Sequence, residues 1–133
     1  MKQLSTILVL FVALSHVAIL ILEVFFWNHP VGRDAFSMTL QQSQATQVLA
    51  MNQGVYNGFL AAGLFWGLWS ERLDLKVFFL CCVSVAGIFG AVTATTSILF
   101  TQGMPAMIAL AVLYISVRLP QPERPIKVPK VRG

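Results

Sequence analysis

Four long apolar runs, at about 4–27, 47–69, 75–92 and 98–117, constrain this chain more than anything else in it. Each approaches the ~20 apolar residues that an α-helix needs to cross the hydrocarbon core of a bilayer. Composition leads the same way. Of 133 residues, 57% are hydrophobic and only 11% are charged, against about a quarter charged in soluble domains. So few charges cannot cover a water-facing surface. The expected fold is all-α and membrane-embedded: a four-helix transmembrane bundle over residues 1–118, with a polar first loop and a disordered tail over 119–133.

The punctuation fits four spans. Asn28-His29-Pro30 and Gly32 end the first, since proline removes a donor and resists helix continuation. The run begins after Lys2 like a signal peptide, but continues to Trp27, past the 7–15 residues of a signal core, and reads as an uncleaved span. In the first loop, Thr39-x-x-Gln42 fits a capping box, so the second helix starts near Leu40, before its apolar run. Ser70–Asp74 and Thr93–Ser97 supply the other turns, and Pro105 predicts a kink near Gln102–Met104. Cys81 and Cys82 are adjacent, point about 100° apart in a helix and read as reduced, buried packing residues.

Basic residues orient the bundle. Lys2, Arg72, Lys76, Arg118, Arg124, Lys127, Lys130 and Arg132 fall on one side and Arg33 alone on the other. By the positive-inside rule both termini are cytoplasmic, in a multi-pass protein of a bacterial inner membrane. The Pro-rich tail lacks the interleaved aromatics of a nucleic-acid binder, so nucleic acid is not expected as a partner. No metal cluster or cofactor motif is present in the sequence; the bilayer, a small lipophilic ligand and self-association are the partners expected.

Polar side chains within a span are expensive in hydrocarbon and mark candidate sites. His16 and Glu23 are seven residues apart on one face of the first span. Asn52 with Tyr56, and Gln53 with Asn57, are i,i+4 pairs on the second. Gln102 lies beside the expected kink, and Trp27 at the end of the first span. In the predicted topology all but His16 belong to the outer half. Close helix approach is expected at Gly54-x-x-x-Gly58, Gly63-x-x-x-Gly67 and Ala86-x-x-x-Gly90. The expected picture is an outward-facing polar pocket of Glu23, Asn52, Gln53, Tyr56, Asn57 and Gln102. Trp27, Tyr56, Phe59 and Trp66 would wall it, and His16 would lie deeper. The bland alternatives are interhelical hydrogen bonding for the amides, snorkelling for Glu23 and a backbone-bonded imidazole for His16.

At these residues the chain resembles a known family. Leu22-Glu23-Val24-Phe25-Phe26-Trp27, Pro30-x-Gly32-Arg33, the run from Asn52 to Leu64, Ala86-Gly87-Ile88-Phe89-Gly90-Ala91 and Gln102-Gly103-Met104-Pro105-Ala106 are similar to small bacterial membrane proteins grouped as domain of unknown function 1304. The resemblance covers residue 4 to about 118 and implies four membrane helices, with no activity, substrate or cofactor attached. Ser15 precedes His16 where the family tends to have glutamate, Phe89 stands for a tyrosine, and Thr93–Ser97 is uncharged where the family is more basic.

Three functions compete. The first is binding or transport of a small lipophilic or amphipathic molecule through the outer pocket. The second is a membrane enzyme on a lipid or isoprenoid substrate, with Glu23 and His16 in acid–base roles about 10 Å apart along the helix; no catalytic residue is assigned. The third is an accessory subunit docking another membrane protein through small-residue faces.

Overall fold

The computed structural model describes residues 1–118; the tail expected over 119–133 lies outside the described residues. Helix α1 spans Lys2–Phe25. A short α2, Pro30–Ala35, follows, then α3, Leu40–Trp69, and α4, Leu73–Thr93. A π-helical segment, Leu99–Gly103, runs directly into α5, Met104–Arg118. No strand forms among the described residues.

Three helices are long and apolar enough to cross a membrane: Lys2–Phe25, Leu73–Thr93 and the continuous Leu99–Arg118. At 30 residues α3 has the length. Asn52, Gln53 and Asn57, with four glycines from Gly54 to Gly67, keep it below the apolarity of the others. Much of the outward surface is apolar, with Ile7, Phe11, Phe78, Val85, Phe89 and Phe100 all exposed. An apolar surface of that extent is a site of contact with lipid or protein.

Helix α1 packs on α3 and α5, and α4 packs on the same two. The core between them joins Val9, Val12 and Ala13 of α1, Leu64 of α3, Leu80 and Val83 of α4, and Ala106, Ala109 and Leu113 of α5. Small residues set the approach. A side chain at Gly63 would collide with the Phe79 ring, and one at Gly87 with the Gly103 backbone. The α4 contact is thus made by Gly87 and Gly90, while Ala86, expected at the interface, is exposed.

Local chemistry explains the ends. The capping box is formed: Gln42 N–H donates to Thr39 Oγ1 at 3.2 Å and Thr39 N–H to Gln42 Oε1 at 2.9 Å. The first loop, where Pro30 and Gly32 were read as turn residues, folds its proline into the first turn of α2, with His29 Nδ1 accepting from Val31 N–H. Gly32 is buried there because a Cβ would strike the Phe26 carbonyl oxygen. The irregularity anticipated before Pro105 takes the form of the π-helical segment, in which Met104 N–H reaches back to Leu99 O. The wider turn relieves the clash a proline ring makes with the carbonyl four residues earlier. Cys82 is half-buried and Cys81 exposed on the outer face of α4, so Cys81 is not the core residue expected.

The polar charges gather at two ends. Lys2, Arg72, Lys76 and Arg118 lie where α1 and α4 begin and α3 and α5 finish, termed here the basic end; α2 and the connection 94–98 lie at the other, the loop end.

Candidate functional site

The geometry centres on the seam between α1 and α3, toward the loop end. Gly54 allows the contact: a Cβ there would lie 2.6 Å from Val24 Cγ2 and 3.1 Å from Glu23 Cβ. One turn on, Gly58 faces Leu20. With the backbones this close, Asn57 reaches from α3 to α1 and donates from Nδ2 to Glu23 Oε2 at 2.8 Å. The same nitrogen donates to the Gln53 carbonyl at 3.1 Å. Both Asn57 N–H groups are then used. What the pair still offers is acceptors, the second Glu23 oxygen and Asn57 Oδ1. Both residues are half-buried.

The other candidates go elsewhere. Asn52, Gln53 and Tyr56 were expected to turn inward, but their side chains are exposed, Tyr56 at 61%. Among the described residues Asn52 bonds only to its own helix, at Val48 O. The reason is steric. Inward positions of α3 are held by Ala50, Gly54, Ala61, Gly63 and Gly67, whose small size permits the close packing, and Asn52, Gln53 and Tyr56 take the outer side. Asn52, Tyr56 and Phe59 form an exposed patch on α3, with the Tyr56 and Phe59 rings 6.2 Å apart; Trp66 and Trp69 are exposed further along, beyond Gly63, which the Phe79 ring covers. Of the walls expected around an internal pocket, Tyr56, Phe59 and Trp66 are thus on the outside. Gln102 is half-buried in the π-helical segment against Gly87, and among the described residues its side chain has no hydrogen bond.

His16 is 1% exposed, and its Nδ1 lies 2.9 Å from Val12 O one turn away. That satisfies one ring nitrogen within its own helix. Trp27 acts as a fastener: Nε1 donates to Thr46 Oγ1 at 3.1 Å, and its ring packs on Phe36 with centroids 4.9 Å apart. Beside it Asn28 Nδ2 donates to Gln47 Oε1 at 2.8 Å, while Asn28 Oδ1 is buried without a partner. Thr46, Gln47 and Asn28 were not singled out from sequence. The polar residues at the start of α3, opposite those that end α1, were the available signal. Among the described residues no three His, Cys, Asp or Glu side chains gather as metal ligands.

What fold and seam define together is a small all-helical protein with three helices able to cross a membrane and a carboxylate held by a carboxamide between α1 and α3. More narrowly, the chain belongs to the family described as Protein of unknown function (DUF1304), whose profile matches residues 10–114. The resemblance seen in the sequence is therefore a family relationship. The chain is 32% identical over 114 residues to "Uncharacterized protein YpaA" of Lactococcus lactis subsp. lactis (strain IL1403), an alignment spanning 83% of this chain and 96% of that protein. No solved structure matches significantly.

Proposed function

We propose that the protein crosses a bacterial inner membrane four times, α3 being the fourth span, with both termini cytoplasmic, and that it binds or transports a small amphipathic molecule at the α1–α3 seam in the outer half. The observation that carries this reading is the Glu23–Asn57 hydrogen bond between two helices. An ionisable group at such a position is costly in lipid and marks a functional site by default. The free acceptors of the pair suit a ligand that brings N–H or O–H donors on an apolar body, such as a lipophilic amine. Leu20 and Val24 lie beside the pair and offer that body an apolar surface. Basic residues concentrated at one end support the orientation.

The test uses the full chain in proteoliposomes and a fluorescent lipophilic amine. Saturable binding or uptake is expected for the parent and not for Glu23→Gln, which keeps a hydrogen-bond acceptor but loses the charge. Equal behaviour of parent and variant would sink the reading.

A specific observation favours a second reading, the accessory subunit. The exposed Asn52, Tyr56 and Phe59 side chains give a partner helix both amide and aromatic contacts. Loss of a co-purifying membrane protein on Tyr56→Ala with Phe59→Ala, with amine binding absent from the parent, would move this reading to first place. The enzyme reading has less behind it, because the imidazole of His16 is buried against Val12 O, away from Glu23 along the helix.

A further inference from the structure

A separate cavity opens at the basic end, where the first turns of α1 and α4 meet the ends of α3 and α5. Its volume is about 650 Å³, and its lining includes Lys2, Thr6, Leu68, Glu71, Lys76 and Leu113. The two lysines come from different helices and converge on one space. Neither has an ion-pair partner among the described residues; the one ion pair there joins Arg72 to Asp74. Arg72 grips Asp74 through both Nε and a terminal nitrogen, so Asp74 is already engaged and does not neutralise the lysines. Lys76 is held in place by its stem. Gly67 has no side chain, and the Lys76 Cγ lies 3.0 Å from where its Cβ would be. A substituent at Gly67 would displace that stem.

The lining carries two cations and one anion, Glu71, so it favours an anionic guest. The rim is apolar: Ile7, Leu73 and Val117 are exposed around it, Ile7 at 60%. A guest that uses both features has an anionic head and a hydrocarbon body. Basic pockets between helices at the cytoplasmic face of a membrane bind lipid head groups in this way. We infer that this cavity is a binding site for an anionic phospholipid, its phosphate between Lys2 and Lys76 and its head-group hydroxyls donating to Glu71, as phosphatidylglycerol would. Ile7 and Val117 would then lie along the first segment of the acyl chains. The inference shares with the proposed function only the placement of the helices in a bilayer; it uses none of the residues at the α1–α3 seam.

The experiment is native mass spectrometry of the full chain released from nanodiscs of mixed phosphatidylglycerol and phosphatidylcholine. Retention of phosphatidylglycerol over phosphatidylcholine is expected. The Lys2→Gln, Lys76→Gln double variant should reduce that preference roughly tenfold or more. The Lys2→Arg, Lys76→Arg variant should keep it, which separates lost charge from lost fold, and Arg33→Gln at the loop end should leave it unchanged. Equal retention of the two lipids, or a preference untouched by the glutamine double variant, would overturn the assignment. Millimolar inorganic phosphate should not displace the lipid; displacement would show a site for the free anion and would equally overturn it.

Discussion

Asn57 illustrates how much one side chain between two helices has to satisfy. Its Nδ2 serves Glu23 and the Gln53 carbonyl at once, which fixes the orientation of the amide and holds α1 against α3. Replacing it with leucine would leave the Glu23 carboxyl without its donor. Stranding a buried polar group costs about 1–3 kcal/mol, more when it is charged. Asn57→Leu should therefore lower the thermal unfolding temperature in mild detergent clearly, and Glu23→Gln much less, because a glutamine oxygen still accepts from Asn57. Equal losses from the two substitutions would mean that the carboxylate and carboxamide are not coupled. Glu23 and Asn57 were both visible in the sequence as polar groups inside apolar runs. Their pairing with each other, rather than with Asn52 or Gln102, was not, because it depends on where Gly54 lets the two backbones approach.

Among the elements, those with local codes were legible. The Thr39–Gln42 box starts α3 where its spacing says it should, and Pro105 announces the irregularity that the π-helical segment supplies. Short α2 was hidden because Pro30 and Gly32 read as turn residues; the proline sits in the first helical turn, and Gly32 is needed for contact with Phe26 rather than for a bend. The facing of α3 was misread for a deeper reason. Burial of polar groups and close packing of small residues compete for the same side of the helix, and the glycines and alanines hold it. The contact of α4 with the π-helical segment should be equally demanding. Gly87 and Gly103 meet backbone to backbone, and an added side chain has no flexible neighbour to move. Gly87→Val should cost about 1–3 kcal/mol from overpacking, read as earlier thermal unfolding, whereas Ala86→Val on the exposed side should be near neutral. A tolerant Gly87 would show that the two segments can separate without loss.

For the molecule as a whole, the asymmetry of charge gives the firmest handle. Reporter fusions after Arg33 should show alkaline phosphatase activity, and fusions after Lys127 should not, if α3 crosses the membrane with the other three long helices. Activity at both points would leave an even number of crossings between them and remove α3 as the fourth span. The polarity of α3 has a further consequence, for biogenesis. Helices α1 and α4 have the length and apolarity of membrane spans, and α3 has the length with less apolarity. Only Ser70, Glu71 and Arg72 separate α3 from α4, too few to let one helix settle while the other waits in water. The translocon would then receive the two as a hairpin, the later helix carrying the earlier one in, so that the span with the most chemistry on it is the one least able to enter lipid without company.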